Sequence, residues 1–550
     1  FRARNWAMLL GPGLVMGAAA IGGGEWLTGP LVTARYGGAL LWLATLSILG
    51  QTLYNIEISR YTLYSGEPIF TGKFRVPPGP MFWLFVYLVF DFGSVLPYLA
   101  SNAAIPLFAM IKGRLPDTAA QADENLVRIL ACSIFLGTLL PLVVGGKVYN
   151  SLKAVMTFKL VVVMGFLLFL AIGYSTAETW AEIFSGFFKF GTVPVITEGR
   201  PDIENAFVSL WSGRGFPAID LSMIGVIAAM AAICGNGGLT NTPISSYTRD
   251  QGWGMGQHVG AIPSIVGGHK VELSHVGMVF HVTKESLRRW AGWMRHVQRE
   301  QLVIWMPACF LGIALPSMLS VQFLPRGFVA ENTWLAASIT AGGVRDAVGP
   351  TLGPFFWMLT LFCGFLILST SMATGSDGFL RRWVDVFWTA SPRLRQWDPR
   401  HIGKLYFGVL CVYAAFGLTM LTLVDGGDLL VYSAMLYNYV LGVSCFHTLA
   451  VNTVLLPTEL RPGWLRRVGL LLTGTFFTAI AVLTTIDKVR DLQAEGTQAE
   501  AAATAPAETG DRETGDQVML GAPIDPRMPL AFSPALDVLR CQRACHDVLR

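Results

Sequence analysis

The sequence predicts an all-α polytopic membrane protein with about eleven transmembrane helices, the first and sixth of them broken. Three observations predict it. The 550 residues are 53% hydrophobic and only 14% charged, too apolar for a water-soluble globule and far from the composition of a disordered chain. Apolar runs of about 20 residues recur along most of the length, each enough to cross a bilayer. Two of these runs are interrupted by glycine, at Gly22-Gly23-Gly24-Glu25 and at Cys234-Gly235-Asn236-Gly237-Gly238. Glycine weakens a helix because it has the most backbone freedom to lose.

In chain order the spans read as residues 7–33 (broken), 39–63, 81–110, 127–146, 151–173, 221–247 (broken), 301–323, 354–376, 403–424, 429–454 and 466–486. Breaks in spans one and six are the pattern of a five-plus-five inverted repeat with an eleventh helix appended, and paired breaks point to a midplane binding site. The chain enters its first span directly and shows no cleavable signal. Residues 1–487 form the transmembrane domain. From 488 to 550 the composition turns to Ala, Thr, Glu, Gly and Asp, a low-complexity tail expected to be disordered.

Positive charge tests the topology. Arg60, Lys73, Arg75, Lys147 and Lys153 fall on one side, with Arg249, Lys270, Lys284, Arg288, Arg289, Arg295 and Arg299. So do Arg381, Arg382, Arg393, Arg395, Arg400, Lys404, Arg461, Arg466 and Arg467. This bias places the N-terminus in the cytoplasm and, with an odd number of spans, the C-terminus outside. A net charge of +4 over the whole chain gives no nucleic-acid-binding face. The outer loop 174–220 mixes aromatics with Pro and Gly and is expected to be ordered. The inner segment 253–300 carries His258, His269, His275, His281 and His296 at spacings that match no compact metal motif, and reads as an amphipathic interfacial stretch. Most of the eight cysteines lie in apolar runs and read as small core residues. Cys541, Cys545 and His546 in the tail form too weak a pattern to assign a metal.

Few residues inside the spans can carry chemistry. Glu25 follows the first break directly, where a charge costs at least about 2.5–3.5 kcal/mol and faces a cavity or a partner. It is a candidate cation or proton site, or a cap on the second half-helix. Asp91, within span three, is a proton-relay candidate or one half of a buried ion pair. Asn236 and Asn241 flank the second break. Their carbonyls, with the exposed main chain at Gly22, Gly24 and Gly235, are hard oxygen ligands suited to a cation. Free N–H groups there suit a carboxylate-bearing solute instead. Ser369, Thr370, Ser371 and Thr374 on span eight offer hydroxyls, although such residues commonly bond back to their own helix. Glu57 with Arg60, and Asp377 with Arg381 and Arg382, read as interfacial helical pairs.

Gly11-Pro12-Gly13-Leu14, then Ile21-Gly22-Gly23-Gly24-Glu25-Trp26-Leu27-Thr28, then Tyr36-Gly37-Gly38-Ala39-Leu40-Leu41-Trp42 resembles the opening of the Nramp family of proton-coupled divalent metal transporters, which have the LeuT-type fold. The family pattern there is G-P-G, D-P-G-N-W-x-T and F-G-Y-x-L-L-W. The resemblance is specific over about the first 45 residues and diffuse beyond. Its departures fall on the ligands. The family aspartate falls on Gly22 and the family asparagine on Glu25. The family M-P-H of span six falls on Gly235-Asn236-Gly237, so the soft methionine sulfur is missing. The family D-x-x-E-V falls on Asp91-Phe92-Gly93-Ser94-Val95, keeping the aspartate and replacing the glutamate by serine.

The resemblance implies secondary transport by alternating access in a plasma membrane of bacterial type, with membrane lipid and a transported cation or small solute as partners. No cofactor and no enzymatic activity is expected. The favoured cargo is a divalent cation held by Glu25, Asn236 and the main chain of the two breaks, with Asp91 carrying the coupling proton. An all-oxygen ligand set suits a hard ion such as Mg²⁺. Two alternatives stand beside it: a cation- or proton-coupled symporter of a small organic solute, and a non-transporting sensor on a transporter fold.

Overall fold

The structure is a computed structural model, which describes residues 22–117, 119–144, 148–259, 277–328, 335, 338–397 and 402–504. By its contacts the chain divides into a unit of residues 1–484 and a second of 485–550. The first half of span one, including Gly11-Pro12-Gly13, lies outside the described residues. So do His269, His275, Cys541, Cys545 and His546.

Every span read from the sequence falls on helix where it is described. The helices are Gly23–Tyr36 (the second half of span one), Trp42–Ser65, Pro80–Lys112, Gln121–Val144, Val148–Tyr174 and, for span six, Ile224–Ile233 with Pro243–Asp250. Met306–Phe323, Gly353–Ala390, Ile402–Leu423, Gly426–Val454 and Trp464–Thr504 complete the set. Among the described residues eight helices are long and apolar enough to cross a membrane, and the bent pair Gly23–Leu40 and Trp42–Ser65 adds a ninth candidate. The protein is an integral membrane protein. The helix after Trp464 runs on to Thr504, because Ala, Gln, Glu and Leu in that stretch are strong helix formers.

Span three differs from the continuous helix expected over 81–110. Pro80–Phe90 ends at a 3₁₀ turn, Asp91–Val95, and helix resumes only at Tyr98–Lys112. Two local features impose the break. Pro97 pushes Leu96 into extended backbone, with φ −73° and ψ 122°. Gly93 lets the turn press against span ten, where an added Cβ would come within 2.8 Å of the Ser433 carbonyl.

The inner segment differs as well. Lys284–Glu300 is a helix capped by Thr283, and it runs through a π-turn at Gln301–Trp305 into Met306–Phe323. Span seven is therefore one long helix with an amphipathic N-terminal end. That end buries Met294 and Val297 against Ile56, Leu63 and Trp253. Segment 174–220 is ordered, as a helix at Ala177–Gly186, a hairpin of β1 (Thr192–Thr197) with β2 (Arg200–Asn205), and a short helix at Ala206–Trp211. Thr192 pairs with Asn205 in its register. The Trp42 indole donates to the Thr192 carbonyl at 2.8 Å, which ties the hairpin to the N-terminal end of span two.

Candidate functional site

The two breaks meet. Glycines allow the approach: a Cβ on Gly24 would lie 2.1 Å from the Ile233 side chain, so only glycine lets the half-helix of span one pack so closely on span six. The contact opens beside a cavity of about 100 Å³. Its wall includes Gly22, Gly23, Gly24 and Glu25 from span one, and Gly235 and Asn236 from span six. Tyr98, Tyr247 and Tyr437 supply ring surface, and Ser371 and Thr374 of span eight supply hydroxyls.

Glu25 is 1% exposed and joins the two breaks. One carboxylate oxygen accepts the Gly235 N–H at 2.8 Å, and the other accepts the Gly22 N–H at 3.1 Å. The carboxylate thus satisfies a donor freed by each broken helix. Its charge is also answered by Lys159 of span five, a fully buried lysine within its electrostatic reach.

Asn236 and Asn241 play different parts. The Asn241 amide donates to the Asn236 carbonyl at 2.8 Å and to Gln51 Oε1 at 2.8 Å, so Asn241 braces the break from behind and does not line the cavity. Asn236 does line it, is 7% exposed, and its Nδ2 has no partner among the described residues. Ser371 Oγ is likewise buried without a partner there. Thr374 bonds back to the Thr370 carbonyl at 2.6 Å, the ordinary behaviour of a helical hydroxyl.

Asp91 is not among the residues lining the cavity. It sits at the break in span three, fully buried, with four donors on its carboxylate. Arg382 Nε and Nη2 reach Oδ2 at 3.1 and 2.8 Å, and the Trp383 indole reaches it at 2.9 Å. Ser94 donates to Oδ1 at 2.6 Å. Arg382 also donates to the Leu239 carbonyl in the second break at 3.1 Å. Of the pairs expected at the membrane surface, Asp377–Arg381 forms at 2.9 Å. Glu57–Arg60 forms at 2.6 Å but is fully buried, because Asn452 and the Leu460 carbonyl enclose it. Arg382, expected beside Asp377, turns inward to Asp91.

Three residues that shape the surroundings of the breaks have no role in the sequence reading. Gln51 of span two clamps the second break, accepting from the Asn236 N–H at 3.1 Å and donating to the Cys234 carbonyl at 2.8 Å. Its signal was a Ser47-x-x-x-Gln51 spacing that puts two polar groups on one face of an apolar helix. Lys159 was legible as a lone lysine within an apolar run. Arg382 was counted for topology, and its inward direction left no mark in the sequence. Among the described residues no group of three or more His, Cys, Asp and Glu side chains is placed to hold a metal ion.

No protein-family model matches the sequence, and no curated protein matches it. Solved structures do. The Eremococcus coleocola manganese transporter, as a mutant with one histidine replaced by alanine, is 13% identical over 92% of this chain and 91% of that one, with a TM-score of 0.55. A mutant of the same transporter with one glutamate replaced by alanine is 14% identical over the same shares, at 0.54. Its complex with an aromatic bis-isothiourea compound is 14% identical over 88% of each chain, at 0.51. At these identities the likeness establishes the fold: this is a membrane protein of the LeuT-type all-α fold, with broken helices at its centre.

Proposed function

We propose that the protein is an Nramp-like secondary transporter that works by alternating access, with its cargo bound in the cavity between the two broken spans. The observation that carries this reading is the meeting of both breaks at Glu25 beside a cavity where Asn236 Nδ2 and Ser371 Oγ have no partner among the described residues. Broken helices at that depth are tolerated where they line such a cavity.

The geometry favours a small organic solute of low net charge over a divalent cation. Both oxygens of Glu25 already accept main-chain N–H groups, and Lys159 offsets its charge. A bare divalent ion beside that carboxylate would bring two positive charges to a site already near balance. Hard cations of this class ask for an oxygen-rich shell with at least one or two available carboxylates. The free Asn236 amide and the Ser371 hydroxyl instead await a neutral or zwitterionic partner that accepts one hydrogen bond while the tyrosine rings cover its apolar part.

A second reading keeps the divalent cation. Glu25 and Asn236 both line the cavity, and the solved structures of similar fold belong to a manganese transporter. Thermal stabilisation separates the two, because a ligand of the folded state must raise apparent stability. The purified protein is melted against a panel of divalent metals and a panel of small neutral and zwitterionic solutes. Stabilisation by solutes, lost in Asn236→Ala, is the expected result. Stabilisation by Mg²⁺ or Mn²⁺ alone, lost in Glu25→Gln, establishes the cation reading instead. Uptake into reconstituted vesicles of the stabilising compound then tests transport itself.

A further inference from the structure

Lys73 is fully buried and has no carboxylate partner among the described residues. It lies on the short helix Ile69–Arg75 that links spans two and three. Its ammonium touches the Ser444 hydroxyl of span ten and faces three rings, Tyr87 at 5.0 Å, Phe70 at 5.3 Å and Tyr54 at 5.8 Å. One hydroxyl and three ring faces are weak company for a charge with three donors. A buried ammonium without an anion is under pressure to shed its proton, and an amine can do so where a guanidinium cannot.

The surroundings are those of a joint. Tyr54 of span two also bonds the Ser444 hydroxyl, so spans two and ten meet at the oxygen that receives Lys73. From span three, Tyr87 shares a hydrogen bond of 2.9 Å with His447 Nδ1 of span ten. The His447 ring stacks on Trp83 with centroids 3.7 Å apart and also bonds the Lys73 main chain. The titratable and charged groups that face this place are Tyr54 from span two, Tyr87 from span three, and Cys445 and His447 from span ten. Arg381, Arg382 and Asp385 of span eight and Tyr247, Arg249 and Asp250 of span six line a small cavity with Phe70. On the linker helix itself Arg75 is engaged by Glu67 at 2.6 Å. Ser444 stands seven residues beyond Tyr437 on one helix, about two turns from the central cavity that Tyr437 lines.

We propose that Lys73 is the proton-exchanging site of this protein, whose ammonium latches spans two, three and ten together and whose neutral amine releases them. The proposal rests on the transporter reading for its purpose, since a proton taken up and released at this joint would be the coupling ion. Asp91 is the less suited group, because Arg382 holds its charge directly. The step is an acid dissociation: the ammonium gives one proton to the aqueous phase, its attraction to the faces of Tyr54, Phe70 and Tyr87 is lost with the charge, and one weak hydrogen bond to Ser444 is all that still joins the spans there.

Two measurements on the full chain in liposomes test this without any cargo, so their failure is separate from failure of the stabilisation screen. The first is ¹⁵N NMR of protein labelled at lysine Nζ, with the Lys73 signal assigned by its selective shift in Ser444→Ala. Lys73 is expected to change from ammonium to amine at least about two pH units below the exposed lysines. A signal that stays ammonium as long as theirs overturns the proposal. The second follows alkylation of buried Cys445, the neighbour of Ser444, by N-ethylmaleimide with peptide mapping. Taken relative to exposed Cys411 in the same sample, which removes the common rise in thiolate with pH, its rate should climb through the Lys73 titration in the native protein and stay flat in Lys73→Arg. An identical pH profile in Lys73→Arg and the native protein overturns the latch even if Lys73 titrates.

Discussion

Glu25 and Asp91 are both buried carboxylates at broken helices, and they are kept by opposite means. Glu25 is held by main-chain N–H groups from two different spans, with Lys159 within electrostatic reach. Asp91 is held by side chains, above all the guanidinium of Arg382. Main-chain donors are part of the breaks themselves, so Glu25 can border a cavity without a bulky partner filling it. A guanidinium fills the space it neutralises, so Asp91 is sealed. The same kind of side chain at the same kind of break thus lines a cavity in one place and is a rivet in the other, according to which group supplies the positive end.

The comparison is broken most severely at Arg382. Removing one member of a buried pair strands the other charge, at a cost of about 3–5 kcal/mol. Arg382→Met should therefore lower the melting temperature more than Glu25→Gln, Asn236→Ala or Arg326→Ala. It should also loosen the second break, because the Leu239 carbonyl loses its donor. The double variant Asp91→Asn with Arg382→Met should recover much of the loss. If Arg382→Met melts like the native protein, the rivet reading of Asp91 is wrong.

Glu25→Gln tests the other means. An amide offers one acceptor where the carboxylate offers two, so the N–H of Gly235 or of Gly22 loses its partner. An unsatisfied buried donor costs about 1–3 kcal/mol, and Lys159 loses this counter-charge. The expected melting shift is clear but smaller than that of Arg382→Met. A shift as large as that one would mean that Glu25 is held by charge after all.

Asn236→Ala should separate binding from folding. Its Nδ2 bonds nothing among the described residues, so stability should stay within about 0.5 kcal/mol of native. Stabilisation by a cavity-binding solute should fall by about 0.5–1.5 kcal/mol, the worth of one hydrogen bond. Loss of stability without loss of solute binding would place Asn236 with Asn241, as a brace.

Much of the fold was legible in the sequence, because apolar length and glycine interruptions are local properties. The spans, the two expected breaks and the order of the outer segment follow from them. The break in span three was less so: Gly93 and Pro97 are visible, but the reason the turn forms at Asp91 is contact with Ser433 far along the chain. The site was legible in its residue types and illegible in its partners. Glu25, Asn236 and Asp91 announce themselves as polar groups in apolar runs. Nothing local says that Gly235 would answer Glu25, that Arg382 would turn inward, or that Lys73, counted among surface charges, would be fully buried.

The smallest expected effect comes from a carboxylate that combines both means outside the membrane. Glu182, in the outer segment, accepts the Gly38 N–H at 3.1 Å and bonds Arg326 with both oxygens. Burial alone would raise its proton affinity, but Arg326 and the Gly38 N–H more than offset it and hold the carboxyl below its ordinary range. Arg326 is 59% exposed, so water screens the pair and its worth is about 0.2–1 kcal/mol. A carboxyl with lowered proton affinity in the folded state adds stability above its unfolded titration, near pH ~4.3, and loses it as the pH falls. Arg326→Ala should therefore melt slightly below the native protein at neutral pH, and the gap should close as the pH is lowered toward about 3. The gap should also narrow in about 1 M salt, where the screening length falls to about 3 Å. A gap that persists at both low pH and high salt would show that Arg326 acts by packing, and that partner type matters at the surface as little as it matters greatly inside.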